Sequence, residues 1–217
     1  MGAAKEHLGH LLVLVAERQW PELSRALTDL ILAWPADYPT SMRAPMLALL
    51  ETSLRESDPA TQIMLAPRFA GHGEVPLKVM NLLYLSAPSP LRREILMRNE
   101  LEEGEPFDMV SADGAAILNA ARNGARDFLS TFAGAAGVTV QVARGILSDT
   151  TGEALAVFCR GAGLDRATFS AIAVLKGPRD LPLSVYDTVA PNAAAKIVAD
   201  WRKTSVAPEP AQIAAAE

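Results

Sequence analysis

One short stretch, FCRGAGLDR at residues 158–166, has the composition of a catalytic loop. It contains the only cysteine of the chain, Cys159, followed by an arginine and two glycines. In enzymes that attack phosphate with a thiolate, backbone amides and a guanidinium hold the anion beside the sulfur. The spacing does not fit that chemistry, because the next arginine after Arg160 is Arg166, too far along the chain for a phosphatase-type loop.

Helix termination explains the same residues. On a helix from Glu153 to Ala162, Cys159 lies at the flank of the apolar face and Arg160 lies on the opposite side. Gly163 is placed to end this helix in a left-handed conformation, and Asp165 is placed to cap the next helix. We therefore predict a buried or half-buried structural cysteine and no catalytic residue.

The three histidines are the other candidates for chemistry. His7 and His10 share one helix face, but no third ligand follows nearby, so no metal site is predicted. Either imidazole would accept a phosphoryl group if it were exposed in mid-helix. We expect the surrounding leucines to bury His10 and His7 to lie in a fraying first turn, while His72 lies in a glycine turn. No nucleotide or dinucleotide motif occurs, and no cofactor is predicted.

The segment SPLRREILMRNEL, residues 89–101, carries the candidate binding residues. On a helix, Arg92 and Asn99 fall in the apolar sector, where buried polar groups need hydrogen-bond partners. Arg93 and Arg98 point elsewhere. Two interpretations stay open: a hydrogen-bond ladder between helical repeats, which we favour, or a surface that binds an acidic protein segment through Arg92, Arg93, Arg98 and Asn99.

Composition and net charge argue against several classes of protein. The net charge of −5 argues against a general nucleic-acid binder, because neutralising phosphates requires a positive surface. The apolar run from Leu11 to Ala16 is far too short to cross a bilayer. A single cysteine without a signal peptide indicates a cytoplasmic protein.

Helix signals recur along the chain and predict about a dozen short helices with no convincing strand. Asp58 and Ser89 are predicted caps, each followed by a proline. Thr150 and Glu153 have the spacing of a capping box. Residues 137–143, GVTVQVA, alternate like a strand, but the apolar residues beyond them continue at helical spacing, so we predict a helix.

Two segments of the sequence resemble each other weakly. Residues 68–87 align with residues 131–150, and both follow a plan of helix, glycine turn, helix and polar turn. This plan is typical of stacked helical hairpins. We predict an all-α fold with a helical N-terminal part at residues 1–60, a hairpin part at 61–203 and a flexible tail at 204–217.

The segment ARDFLSTFAGAAGVTVQVARGILSDTTGEALAVFCRGAGLDRATFSAIAVL resembles the bacterial family of domain of unknown function DUF2336. Members are similar in a helix with a central aromatic, a small-residue turn, a leucine–aspartate turn, a glycine, an apolar helix and an AGL sequence. The residues in those places are Phe128, Phe132, Val138, Leu147, Asp149, Gly152, Ala162, Gly163 and Leu164.

The segment APSPLRREILMRN is similar to the helical-repeat part of the same family, where such segments resemble HEAT repeats. The resemblance covers about residues 75–176 and lacks the long repeat array of many members. It implies a HEAT-like superhelix in the bacterial cytosol and transfers no catalytic residue.

Stacked hairpins offer long surfaces and few deep polar pockets, which favours recognition over catalysis. We therefore expect a non-enzymatic, HEAT-like protein that binds a protein partner in a bacterial regulatory pathway. The alternatives are a histidine phosphotransfer protein that uses His7 or His10, and a carrier of a small apolar ligand. The sequence leaves the partner and the oligomeric state open.

Overall fold

A computed structural model describes residues 2–36, 38–102, 111–124, 127–178 and 180–203, without the side chains of residues 2–5 and 203. Within these ranges the chain forms twelve α-helices and four 3₁₀ segments and no strand, which confirms the all-α prediction and the number of helices. The predicted tail at 204–217 lies outside the described residues.

The α-helices are α1 Gly2–Ala16, α2 Trp20–Leu32, α3 Arg43–Glu56, α4 Pro59–Leu65, α5 Leu77–Leu83, α6 Ser89–Leu101, α7 Gly114–Arg122, α8 Phe128–Ala136, α9 Val140–Ser148, α10 Glu153–Gly161, α11 Arg166–Lys176 and α12 Pro191–Lys203. The 3₁₀ segments are Thr40–Met42, Ala66–Phe69, Tyr84–Ser86 and Leu183–Thr188.

Polar side chains fix where several helices begin. The caps that accept a backbone amide hydrogen bond are Asp58, Asp113, Asp127, Thr139 and Asp165, at α4, α7, α8, α9 and α11. Such a bond satisfies one of the free amides of the first turn and contributes about 1 kcal/mol. The predicted caps Asp58 and Asp165 are confirmed. Ser89 is not a cap, because the helix already begins at that residue, after Pro88.

The capping box predicted at Thr150 and Glu153 is wrong. Gly152 precedes α10 in a left-handed conformation, with φ of 75°, and this turn changes which residues meet the helix end. The Asp149 carboxylate accepts the Ala154 amide hydrogen bond at 2.9 Å, and the Thr151 hydroxyl accepts that of Glu153 at 3.2 Å. The side chains of Asp149 and Thr151 therefore cap α10 in place of the predicted pair, Thr150 and Glu153.

The ambiguous segment at residues 137–143 leads into a helix, as predicted. Thr139 caps it and α9 begins at Val140. The internal alignment places Val140 opposite Leu77, and these are the first residues of α9 and α5. It also places the buried Phe69 opposite the buried Phe132.

Consecutive helices pack on one another along much of the chain. Such pairs are α1–α2, α2–α3, α5–α6, α7–α8, α8–α9, α9–α10 and α10–α11. One cluster of buried hydrophobic side chains extends from Leu11 to Trp201. The division predicted between residues 60 and 61 falls within α4, which packs on α2, and it stays a prediction.

The last helix departs from a linear stack. α12 packs on α5, α6 and α10, whereas the units of a simple repeat array contact only their sequence neighbours. Its crossing with α10 is close, because a Cβ added at Gly161 would lie 2.6 Å from the Ala194 carbonyl carbon and 2.8 Å from Val198 Cγ2. The HEAT-like superhelix stays a prediction.

Three side chains of α12 also donate hydrogen bonds to carbonyl oxygens near the C-terminal ends of other helices. They run from Lys196 Nζ to Asn99 and Glu102 (3.0 and 2.8 Å), from Trp201 Nε1 to Asn81 (3.1 Å) and from Arg202 Nε to Ala136 (2.9 Å). The last carbonyls of a helix lack partners within the helix, and a cation there also complements the helix dipole. α12 thus caps α5, α6 and α8 at once.

None of the helices described between residues 2 and 203 combines the length and the apolar character that a bilayer span requires.

Candidate functional site

Arg92 lies in the interior, where α6 meets the loop before α10. Its side chain is only 9% exposed. The guanidinium donates hydrogen bonds to the carbonyl oxygens of Tyr84 (3.1 Å), Leu85 (3.1 Å) and Ala87 (2.9 Å), to Asp149 Oδ1 (2.9 Å) and to Thr151 Oγ1 (3.3 Å). Arg92 therefore closes the end of the Tyr84–Ser86 segment and fastens it to the loop before α10.

The Asp149 carboxylate is the charged partner of Arg92 and is itself buried. Burial would raise the pKa of this carboxyl, but the hydrogen bonds from the Ala154 amide and the Arg92 guanidinium outweigh it and hold the pKa below its ordinary value of 3.8. Glu153 Oε2 stands 3.5 Å from the same guanidinium. The arrangement stabilises an ionised Asp149.

This pKa predicts an acid-labile contribution to stability. Because the folded-state pKa of Asp149 is lowered, its contribution is fully present above the unfolded-state pKa and is lost as the pH falls through the folded-state value. We expect the loss of unfolding free energy below about pH 4 to be smaller in Asp149→Asn than in the parent protein. Urea titrations at a series of pH values measure the difference, and parallel curves would contradict the prediction.

Asn99 belongs to a second buried network, which joins three helices. Its amide nitrogen donates to Asn81 Oδ1 at 2.7 Å, and Asn81 Nδ2 donates in return to Asn99 Oδ1 at 3.2 Å and to Asp200 Oδ2 at 2.8 Å. α5, α6 and α12 each contribute one of these side chains. Asn99 and Arg92 are thus both buried and hydrogen-bonded to other segments, in two separate networks, and a ladder between repeats stays a prediction.

The proposed acidic-segment surface needs a correction, because Arg92 and Asn99 do not reach the outside. Arg98 is half-buried, and its Nη2 donates to the carbonyl oxygens of Gly73 (2.9 Å) and Val75 (2.6 Å). Arg93 is exposed and forms no hydrogen bond or ion pair with another described residue. Of the four residues, only Arg93 presents its whole guanidinium to a partner.

Arg93 stands among apolar side chains on the solvent side of α6. We call this set the outer face of α6, and it consists of Pro90, Arg93, Met97, Glu100 and Leu101, all exposed. Met97 is 54% exposed and Leu101 is 71% exposed. Arg93, Met97 and Leu101 are spaced by four residues, so they lie side by side along the helix. Helical projection of residues 89–101 already places Arg93, Met97 and Leu101 on one side, but we considered only the polar residues of this segment.

The loop around Cys159 takes the form predicted for a helix end. Cys159 is fully buried in α10. Gly163 follows with φ of 68°, its amide donates to the Arg160 carbonyl, and the Leu164 amide donates to the Cys159 carbonyl at 2.8 Å. These two bonds define a Schellman motif. Residues 147–164 thus contain the aspartate turn, the apolar helix and the AGL end in the expected order.

Residues 111–195 match the DUF2336 family. The family is described as an uncharacterised protein conserved in bacteria. The match confirms the resemblance to this family, begins at residue 111 and so does not include residues 75–110, and covers less than half of the chain. No curated protein and no solved structure matches the sequence.

The DUF2336 segment comprises α7 to α11 and the first residues of α12. The outer face of α6 lies before it, and the capping residues Lys196, Trp201 and Arg202 lie after it. Arg92 crosses into the segment to bind Asp149. The contacts of Arg92 and α12 therefore join the DUF2336 segment to the N-terminal helices.

Cys159 in the DUF2336 segment is unsuited to nucleophilic attack. Burial raises the pKa of the thiol, which disfavours the reactive thiolate. The neighbouring guanidinium of Arg160 binds the Val189 carbonyl at 3.0 Å and lies 4.8 Å from the ring centre of Tyr186. The Arg160 guanidinium is therefore engaged by Val189 and Tyr186.

The two histidines of α1 occupy different environments from those expected, whereas His72 lies in a turn between two glycines, as predicted. His10 is exposed in the middle of α1, because the helix directs Leu11 and Leu14 into the core and leaves His10 outside. His7 is half-buried, with Nδ1 3.3 Å from the Tyr38 hydroxyl. The expectation that leucines bury His10 is therefore wrong.

Proposed function

We propose that this chain is a non-enzymatic helical protein that binds a partner protein in the bacterial cytoplasm, as part of a regulatory pathway. The outer face of α6 is the docking surface. The observation that carries the proposal is the exposure of Met97 and Leu101 beside the unpaired Arg93. Exposed apolar groups mark interaction surfaces, methionine and arginine are enriched at protein interfaces, and arginine is also enriched among the residues that dominate binding energy.

The opposite side of α6 supports this assignment. Arg92 and Asn99 hold the helix through hydrogen bonds to distant segments, so the backbone that carries the outer face has a fixed position. A surface on a fixed helix loses little backbone entropy on binding. The structural role of these residues and the docking role of Arg93 are thus complementary.

The chemistry of the face indicates the kind of partner. Met97 and Leu101 offer a narrow apolar strip that suits one side of an amphipathic helix. Arg93 requires a carboxylate at one end of that helix, and Glu100 disfavours a second carboxylate near the other end. We infer an amphipathic segment with an acidic residue toward the Arg93 end.

The test compares charged substitutions on two exposed surfaces. We expect Arg93→Glu and Met97→Asp each to weaken partner binding by about tenfold, because each removes a central contact. Val174→Asp on α11 is the matched control, since Val174 is 75% exposed and α11 packs on α7 and α10, whereas α6 packs on α5 and α12. The measurement is photo-crosslinking in the native bacterium from residue 97, followed by the affinity of the purified partner for each variant.

All three variants should unfold at the parent's denaturant midpoint, because the substituted side chains face solvent. The docking proposal fails if the residue 97 probe captures no partner, or if Val174→Asp weakens binding as much as Met97→Asp does.

The exposure of His10 favours histidine phosphotransfer as a second candidate. A phosphoryl acceptor needs an accessible imidazole on a firm helix, and His10 meets that requirement in α1. Acid-labile label from a phosphorylated donor, present in His72→Ala and absent in His10→Ala, would support this candidate. An unlabelled parent protein would eliminate it.

A further inference from the structure

A chemically labile pair of residues lies at the end of α7. Asn123 follows Arg122, the last residue of the helix, and Gly124 comes next. Asn123 is the only asparagine of the sequence that precedes a glycine. Asparagine is among the side chains that heat degrades most readily.

The lability of an asparagine depends on the peptide nitrogen that follows it. This nitrogen attacks the side-chain carbonyl carbon, Cγ, and closes a five-membered ring. A side chain on the following residue hinders the attack, and glycine has none. A helix also prevents it, because helical hydrogen bonds hold the peptide nitrogens in place.

The structure leaves the pair at the end of α7 open to this reaction. Asn123 and Gly124 are both exposed, and the Asn123 side chain forms no hydrogen bond with another described residue. The Gly124 amide donates none to the described part of the chain either. Gly124 has φ of 60°, and a Cβ added there would meet nothing within 4 Å. The attack requires a rotation about ψ of Asn123, and an exposed turn with so few contacts opens at a low cost in free energy.

The other asparagines lack this combination of features. Asn81 and Asn99 are buried and hydrogen-bonded to each other. Asn119 and Asn192 are exposed, but each lies within a helix and precedes an alanine. Asn119 belongs to α7 itself and is therefore a matched internal control.

We propose that Asn123 is a site of spontaneous deamidation in the folded protein. The Gly124 nitrogen loses its proton to solvent and bonds to Asn123 Cγ. The bond from Cγ to the side-chain nitrogen breaks, and that nitrogen takes up a proton and leaves as ammonia. Water then opens the resulting succinimide ring. Attack of water at Cγ gives aspartate, and attack at the main-chain carbonyl carbon gives isoaspartate.

Either product changes the end of α7. The new carboxylate stands at the C-terminal end of the helix, where the helix dipole is negative and disfavours an anion. Isoaspartate also adds one carbon to the main chain in the turn that follows α7. Because α7 packs on α8 and α11, the site lies beside helices of the DUF2336 segment. The change is slow, needs no enzyme and is cumulative, so it marks the age of a chain.

The first test follows each asparagine of the full chain during prolonged incubation in mildly alkaline buffer. Peptide mass spectrometry should show that Asn123 deamidates at least about tenfold faster than Asn119, because only Asn123 precedes a glycine outside a helix. Isoelectric focusing should show a more acidic chain, and an isoaspartyl methyltransferase with a labelled methyl donor should label it. Asn123→Gln should remain unlabelled, since the longer side chain would have to close a less favoured ring.

The second test separates the effect of the fold from that of the sequence. Guanidinium chloride removes the protection that helix α7 gives to Asn119, so the rate at Asn119 should rise steeply on unfolding. The rate at Asn123 should rise less than about tenfold, because the folded turn already permits the reaction. The proposal is overturned if Asn123 stays intact in the folded chain, or if Asn119 reacts as fast there. Equal acceleration of both sites by the denaturant also overturns it.

The deamidation site is independent of the proposed docking function, because Asn123 lies outside the outer face of α6. Asn123→Gln should therefore leave partner capture from residue 97 unchanged.

Discussion

Arg92→Ala is expected to lower the free energy of unfolding by about 3–5 kcal/mol. The substitution leaves the buried Asp149 carboxylate without its cation. It also removes the donor shared by the carbonyls of Tyr84, Leu85 and Ala87. Removing one member of a buried pair costs more than the pair itself contributes, because the remaining charge stays desolvated.

Arg93→Ala is the matched control on the same helix, one residue along. Arg93 is exposed, so its removal should change the free energy of unfolding by less than about 0.5 kcal/mol. Arg92→Lys should be intermediate, since it keeps the charge but lacks the planar fork that reaches several oxygens. Urea unfolding of the three variants tests this order. Similar midpoints for Arg92→Ala and Arg93→Ala would show that the Arg92 network is absent in solution.

Gly161→Ala is also expected to lower the free energy of unfolding, although helix propensity alone predicts the opposite. Alanine is the better helix former by about 1 kcal/mol, so propensity alone predicts a gain. At Gly161, however, the added methyl group would meet the Ala194 carbonyl and Val198 of α12, and backbone atoms cannot move aside as a flexible side chain does. We expect a net loss of about 1–3 kcal/mol from the forced separation of α10 and α12.

Gly134→Ala provides the control with the opposite sign. Gly134 is exposed within α8, and a Cβ there would meet nothing within 4 Å. Alanine should therefore stabilise the protein by up to about 1 kcal/mol. Thermal unfolding of both variants should show shifts in opposite directions. A stabilising Gly161→Ala would contradict the close crossing of α10 and α12.

The features that the sequence predicted correctly are local ones. Asp58 and Asp165 accept amide hydrogen bonds from residues three positions along, and Gly163 ends α10 through its own backbone conformation. Side-chain type and short spacing suffice for such features. The burial of Arg92 and Asn99 could also be predicted, because helical projection shows which residues share the apolar side of the helix.

Contacts between residues that are far apart in the sequence could not be predicted from local sequence patterns. Arg92 and Asp149 are 57 positions apart, and nothing in the type of either residue identifies the other as its partner. The place of α12 depends on how α5, α6 and α10 leave a site for it, which is a property of the packed chain. The exposure of His10 had the same cause, because the crowding of leucines in sequence does not say which side of α1 meets α2.

The position of α12 has a consequence for biosynthesis. Residues 191–203 leave the ribosome after every helix that they cap, and Trp201 binds a carbonyl 120 positions earlier in the chain. Until then the Asn81 amide lacks the Asp200 carboxylate, and the side of α10 that packs on α12 lacks its cover. Chains tend to fold from the N-terminal end during synthesis, and contacts of such long separation form slowly. The nascent protein therefore completes this part of its interior only after residues 191–203 have left the ribosome, and a chain that stops before them would expose that interior to chaperones and proteases.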